Sequence, residues 1–342
     1  MLTPSLQIIR RLVAVGLSLI LLVTVSNCGG GASRSAAGTT ADKTESDYAW
    51  KKVTDHAAFP EGYNFPLFNF RNQLWVLRSE GNWFSADGHS WTRAELPPLG
   101  LRTAYQQYVQ FKDAIYALGT MEGDYQNLKV GSRIMKTSDD LKRWELVAAQ
   151  SELPARVFYG ATVFAGKIWM FGGFDGKNYF NDVWNSDNGV KWHRVTEQAP
   201  WAPRNDPSVF VFQNRLWLLA GGIIDGELFK DVWSTPDGLN WKQENKQMAS
   251  RPNVGGSVAI YDEKIWIVAV NRNDGFPNAV LVSNDGVNWT ERQAPWTPRG
   301  GVATCVFDGK LFMTGGKYSI NENGQIKFIY SNDVWYMSAT SK

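Results

Sequence analysis

Five arginines stand at equivalent places along this chain: Arg102, Arg156, Arg204, Arg251 and Arg299. Each lies 10 to 12 residues after a tryptophan and just before an apolar run. A guanidinium is permanently charged, and its planar fork of donors fits a carboxylate bidentately. Five brought together would repel one another unless carboxylates or an anion compensate. Two roles are open. The arginines could hold an anionic ligand, or each could bond the carbonyls and carboxylates of a neighbouring loop. Trp201 and Trp296 each lie three residues before one of these arginines, in APWAPR and APWTPR. They could form an aromatic platform for a sugar face, or plug a proline-packed loop.

Other chemistry is sparse. His56, His89 and His193 are the three histidines, and no two have metal-ligand spacing. No nucleophile elbow, phosphate loop or dinucleotide fingerprint occurs. Neither a metal nor a cofactor is expected. A formal net charge of +2 over 342 residues gives no reason to invoke nucleic acid.

The elements that must position the arginines form a repeat. An aromatic residue is followed five places later by another in Phe70/Trp75, Phe111/Tyr116, Phe164/Trp169, Phe212/Trp217, Tyr261/Trp266 and Phe307/Phe312. Leu or Ile precedes every second member. The period, about 41 to 53 residues, is that of four-stranded propeller blades. A second marker is a turn followed by Trp: SADGHSW (85–91), SDDLKRW (138–144), SDNGVKW (186–192), TPDGLNW (235–241) and SNDGVNW (283–289). Of 16 tryptophans, 14 fall on the repeat template, so packing between blades accounts for most of them.

These markers predict six blades at about 60–97, 102–147, 156–195, 204–244, 251–292 and 299–338. The sixth lacks a fourth strand. Residues 48–53 (YAWKKV) supply one, with Trp50 in the place of the turn tryptophan. The expectation is an all-β, six-bladed β-propeller closed by its N-terminal strand, which leaves no open edge at the seam. In such a ring the first strand of each blade is innermost. The arginines and the second-to-third connections then share the face around the channel mouth. Those connections add Glu122, Asp124, Tyr125, Asp175, Tyr179, Asp225, Glu227 and Tyr318 to that face. The Asp-Gly turns fall on the other.

Gly172-Gly173, Gly221-Gly222 and Gly315-Gly316 follow second strands, and each pair is followed by Asp-Val-Trp at Asp182, Asp231 or Asp333. With the later Trp, this pattern resembles kelch repeats over residues 48–338. Blades one, two and five depart from it at Leu77-Arg78-Ser79, Leu118-Gly119-Thr120 and Val268-Ala269-Val270. The turns also resemble the Asp-box of sialidase propellers, one residue shorter. In both families these motifs are structural. Some kelch propellers are copper oxidases with His and Tyr ligands, which the shortage of His disfavours here. Bacterial N-acetylneuraminate epimerases are six-bladed kelch-like proteins, similar in blade count and in Arg and carboxylates near the mouth. That resemblance implies an acid/base carboxylate and an anion-holding Arg.

The N-terminus has its own pattern. Arg10-Arg11 precedes an apolar run from Leu12 to Val25, the layout of an export signal and too short for a membrane span. Val25-Ser26-Asn27-Cys28 resembles the bacterial lipoprotein cleavage box, which implies diacylglycerol on the Cys28 sulfur. Gly29 resembles the outer-membrane sorting pattern of Gram-negative lipoproteins. Three segments are expected: a signal peptide over 1–27, a lipidated Cys28 with a linker over 28–47, and the propeller over 48–342. Cys305 reads as a small buried apolar residue of an innermost strand. The expected function is binding, by an envelope propeller, membrane-held through Cys28, that recognises an anionic glycan or acidic protein segment; the alternative is a sugar mutarotase or epimerase-like enzyme, as the resemblance to the epimerases implies. Arg102, Arg156, Arg204, Arg251, Arg299, Trp201 and Trp296 are its expected ligand-binding residues.

Overall fold

The computed structural model describes residues 48–94, 106–123, 127–138, 141, 143–224, 226–248, 257–269, 276 and 278–340. Six antiparallel sheets form a ring of blades. Strand β1 (Tyr48–Thr54) comes first in the chain and last in the ring. Blade one is β2 (Leu67–Phe70), β3 (Gln73–Arg78), β4 (Gly81–Ser85) and β5 (Thr92–Arg93). Blade two is β6 (Gln107–Phe111), β7 (Ala114–Glu122), β8 (Lys129–Thr137) and β9 (Glu145–Ala148). Blade three is β10 (Gly160–Phe164), β11 (Lys167–Phe174), β12 (Tyr179–Ser186) and β13 (His193–Thr196). Blade four is β14 (Ser208–Phe212), β15 (Arg215–Leu219), β16 (Val232–Thr235) and β17 (Lys242–Asn245). Blade five is β18 (Ser257–Tyr261), β19 (Lys264–Val268), β20 (Ala279–Ser283) and β21 (Thr290–Gln293).

Blade six contains β22 (Gly300–Phe307), β23 (Lys310–Glu322), β24 (Gln325–Tyr330) and β25 (Val334–Ala339). Its order is β22-β23-β25-β1, with β24 pairing the overhanging end of β23 as an extra hairpin arm. The chain therefore closes as its sequence predicts. Trp50 pairs with Met337, and Tyr48 with Ala339. Tyr48 also donates its hydroxyl to Asp262 Oδ2 at 2.6 Å and sits edge-on to Trp266, which ties the seam to blade five.

The core lies between blades. Each sheet has two apolar faces, and six hydrophobic clusters fill the six blade junctions. Burying an aromatic side chain removes about 150–250 Å² from water, roughly 4–6 kcal/mol of gross stabilisation each. Neighbouring innermost strands touch around the ring, from β6 through β10, β14, β18 and β22 to β2.

The repeat spacing has a local cause. Trp169, Trp217 and Trp266 each donate their indole N–H to the carbonyl five residues back, on Phe164, Phe212 and Tyr261, at 2.9–3.0 Å. The aromatic pair thus spans one tight hairpin and closes it.

Candidate functional site at the channel mouth

Three of the five expected arginines are among the described residues, and each is engaged by an aspartate. Arg156 forks onto Asp182 at 2.6 and 3.1 Å, and Arg204 onto Asp231 at 2.6 and 2.8 Å. Arg299 does the same to Asp333. In each, the second carboxylate oxygen also accepts an indole N–H from two residues on: Trp184, Trp233 or Trp335, at 2.7–2.8 Å. This geometry is the physical content of Asp-Val-Trp. One guanidinium nitrogen donates further to the carbonyl 16 residues on, at Gly172, Ala220 or Gly315. Phe180 and Phe229 cover the guanidiniums of Arg156 and Arg204 at 3.8 and 4.3 Å. The glycine pairs make room for this: a Cβ on Gly316 would lie 2.8 Å from Arg299 Cδ.

The expectation of an arginine-lined anion site is corrected here for Arg156, Arg204 and Arg299. They are 4%, 0% and 4% exposed, and each guanidinium is held by a carboxylate of its own blade, with only the Nε of Arg156 left without a partner among the three. Burial pushes the Asp231 carboxyl up, but the bonds from Arg204 and Trp233 and the Arg204 charge hold it below the usual carboxylate range. Arg102 and Arg251 lie outside the described residues, as do Cys28, Asp124, Tyr125 and Asp225. The aromatic platform is corrected too. Trp201 is 1% exposed and sits edge-on to Trp241, while Trp296 is 3% exposed and packs on Trp50 and Trp335. They are plugs between blades.

The opposite face is regular. At each described Asp-Gly or Asn-Gly turn, the Asp or Asn side chain accepts two backbone N–H groups and a Ser or Thr hydroxyl accepts the glycine N–H. The turn tryptophan donates back to the glycine carbonyl. These glycines have φ between 75° and 78° and lie against an aromatic residue of the preceding blade: Gly88 on Phe312, Gly189 on Tyr116, Gly238 on Trp169, Gly286 on Trp217. The two sequence markers are therefore the two halves of one joint. The turns carry structure, as the motif resemblance implies.

The mouth holds three departures from the repeat. Blade one has Gly62 where others have Arg. The space is filled by Arg78 from the end of β3, whose guanidinium lies over Phe65 and donates to the Glu61 carbonyl at 3.2 Å. Lys317 follows the glycine pair of blade six, where blades three and four carry Phe174 and Ile223. It is 4% exposed, with its ammonium 4.2 Å from the Tyr63 ring and 4.8 Å from Phe328. Tyr63 in turn stacks on Tyr330. Among the described residues no carboxylate or hydrogen-bond acceptor holds this ammonium, and burial lowers its pKa to about 8. The third is Asp206, two residues past Arg204. It is 5% exposed and burial raises its pKa well above the ordinary value.

Neither Lys317 nor Asp206 was among the expected site residues. The signal for Lys317 is a cation in a slot filled elsewhere by an apolar side chain, and that for Asp206 is an acid immediately before an innermost strand. Of the expected acids and tyrosines, Asp175 caps its own turn by accepting the N–H groups of Lys177 and Asn178. Tyr179 stacks on Phe174 and accepts the Ile224 N–H across the junction of blades three and four. Glu122 and Glu227 are exposed and Tyr318 half-buried. Among the described residues, no group of three or more His, Cys, Asp or Glu side chains could hold a metal ion.

Comparison with known proteins agrees with this architecture. A solved structure of YjhT superposes with a TM-score of 0.65 over 83% of this chain and 96% of that one, at 11% identity. That likeness is one of fold. A segment of 51 residues is 45% identical to Tip elongation aberrant protein 1 of Schizosaccharomyces pombe. It spans 15% of this chain and only 4% of that curated protein's length. Residues 20–252 match the DUF6242 beta propeller domain, well over half of the sequence, and the chain belongs to that family.

Proposed function

We propose that this propeller is a lipid-anchored binding protein of the bacterial envelope, with kelch-type blades, whose ligand is an anionic glycan or an acidic protein segment. The observation that carries this reading is Lys317. Arg156, Arg204 and Arg299 are each neutralised by an aspartate, whereas Lys317 is a buried cation with no carboxylate partner among the described residues. A desolvated ammonium is costly unless something compensates it. Tyr63 and Phe328 compensate in part through their ring faces. A ligand carboxylate would complete the set, and the stacked Tyr63–Tyr330 pair beside it offers a flat apolar surface to a sugar or peptide.

The test is calorimetric binding of acidic oligosaccharides and acidic peptides at low salt. Wild type binds at least one of them, and Lys317→Gln weakens it by about 1.5–3 kcal/mol, the range for a bond to a charged group. An unchanged affinity in that variant sinks the reading. The anchor is tested separately. The export-signal layout ending at Cys28 predicts that Cys28→Ala abolishes lipid attachment and releases the protein. Incorporation of labelled palmitate into the variant would disprove it.

A second reading is an enzyme similar to N-acetylneuraminate epimerases, interconverting sugar anomers. Asp206 favours it, because a carboxyl held neutral by burial can deliver a proton. Accelerated anomer exchange of an acidic sugar by wild type, lost in Asp206→Ala, would establish it. Equal rates with and without protein would exclude it for that sugar.

A further inference from the structure

Blades three, four and six hold their mouth loops with an arginine ahead of the first strand and an aspartate at the third. Blade two has the same backbone at this place and the opposite charge. Ile134 of β8 pairs with Leu118 as Val183 of β12 pairs with Phe171. In both sheets the register then slips on the side toward the mouth. Arg133 therefore stands where blade three has Asp182. The loop side of the clamp has changed as well. The Gln106 amide donates to the Gly119 carbonyl at 2.6 Å, in place of the bond from Arg156 to the Gly172 carbonyl.

Arg133 is partly exposed. Of its guanidinium nitrogens, Nε alone is buried without a partner, so the two terminal nitrogens form the exposed end. Among the described residues no carboxylate, carbonyl or aromatic ring meets that end. Arg156 also leaves its Nε unpaired, but its terminal nitrogens grip Asp182 and Phe180 covers its face. The other cations of β8 have acids at hand. Lys136 lies 3.9 Å from Glu145, and the exposed Lys129 pairs across the hairpin with Glu122.

A guanidinium with a desolvated base and an open end gains more from a counter-ion than one wholly in water, because the local dielectric is lower. Its two terminal nitrogens fit the two oxygens of a carboxylate, the pairing that the clamps already display. In blade two the strand itself supplies the fork, so the carboxylate has to come from outside the clamp.

We propose that Arg133 is a second anion-binding residue of the mouth and takes a carboxylate of the ligand end-on, as Arg204 takes Asp231. The inference deepens the proposed function and rests on the mouth being the anion face. Lys317 belongs to blade six and Arg133 to blade two. Blade one lies between them and has no clamp, with Gly62 and Gly81 in the two slots. One carboxylate cannot serve cations on both sides of a blade. The ligand is therefore a chain carrying at least two carboxylates, and a single uronic acid meets only one of the two cations.

Calorimetric titration of the full chain at low salt tests it, with trigalacturonate and triglutamate as two sources of the same carboxylate chain and galacturonate as the single-carboxylate control. Wild type is expected to bind one of the trimers more tightly than galacturonate. Arg133→Gln should weaken trimer binding about tenfold, the loss of one bond to a charged group. Arg133→Lys keeps the charge but not the planar fork and should fall between. Thermal melts give a readout that needs no ligand. Arg133→Gln should melt no lower than wild type, whereas Arg156→Gln, which strips Asp182 of its cation, should melt lower. Binding of neither trimer to wild type overturns the inference, as does trimer affinity unchanged in folded Arg133→Gln. A drop in melting temperature for Arg133→Gln as large as that for Arg156→Gln also overturns it, because an internal partner then holds the guanidinium. Trimer binding weakened by Lys317→Gln but not by Arg133→Gln would end this inference and leave the Lys317 reading standing. The reverse pattern would support Arg133 and end the Lys317 reading.

Discussion

The two faces of this propeller follow different rules. On the turn face, four described hairpins repeat one arrangement, and each glycine rests on the aromatic residue of the blade before it. On the mouth face, blades three, four and six share an Arg–Asp–Trp clamp, blade one borrows Arg78, and Lys317 and Asp206 fit no repeat. A joint made of short-range turn chemistry keeps its backbone even where a side chain changes: in blade two Leu141 holds the glycine's place at φ 56° and fills the joint itself. The mouth tolerates more, because one clamp holds each blade's own loops together and leaves the side chains above it free to differ. Function is therefore to be sought where the repeat is broken.

The largest effect that can break this comparison is at a clamp. Arg204→Ala leaves the half-buried Asp231 with only the Trp233 N–H and empties a fully buried site, and should cost about 3–5 kcal/mol, because the remaining charge has lost its cation. Replacing both by apolar residues of similar size should recover much of that loss. Urea unfolding of the single and double variants measures it. A single variant within about 0.5 kcal/mol of wild type would show the clamp to be dispensable and reopen Arg204 as a ligand group.

Next is the turn face. Gly238→Ala forces a left-handed φ of 77° on an L-residue and pushes a methyl into Trp169. Strain and overpacking together should cost about 2–4 kcal/mol. The same change at Gly309, at φ 66° with nothing within 4 Å, should cost only the backbone share, about 1–2 kcal/mol. Equal melting temperatures for the two variants would remove the inter-blade joint from the account.

The smallest effect has the opposite sign. Asp206 has a folded-state pKa raised above its unfolded value, so the folded protein binds the extra proton between the two. Stability then falls as pH rises through that window, which begins near the ordinary aspartate pKa of about 3.9. Asp206→Asn should abolish the fall and melt higher than wild type above it, with the two converging in acid. A lower melting temperature for the variant at neutral pH would show that the carboxylate is stabilised by a partner. A gain in stability on removing an acid is what a site kept for function predicts.

The fold was legible because its signals are local. The Phe164–Trp169 spacing marks one hydrogen bond across one hairpin, and the Ser186–Trp192 turn satisfies itself within seven residues. Even the seam at Trp50 could be read, because a missing strand at one end matched a spare strand at the other. The site was legible only in its ingredients. Arg156 and Asp182 are 26 residues apart and Arg299 and Asp333 are 34 apart, and nothing in spacing alone says that each aspartate seeks the arginine of its own blade. Five equivalent arginines therefore suggested a ring of charge, whereas pairing removes it at three of them. Arg78 replaces an arginine that sequence order places 16 residues earlier, at Gly62. Asp206 is legible only as an acid beside an innermost strand, and its burial, which sets it apart from other loop acids, is not written in the sequence.

The path of β1 sets the orientation of the molecule. Val334, next to the clamp aspartate Asp333, pairs with Thr54, so the opposite end of β1, at Tyr48, lies on the turn face. Tyr48 is fastened there by its bond to Asp262, in the turn between β18 and β19. The propeller is thus entered at Tyr48 on the turn face, whereas Lys317 and Asp206 lie at the opposite face.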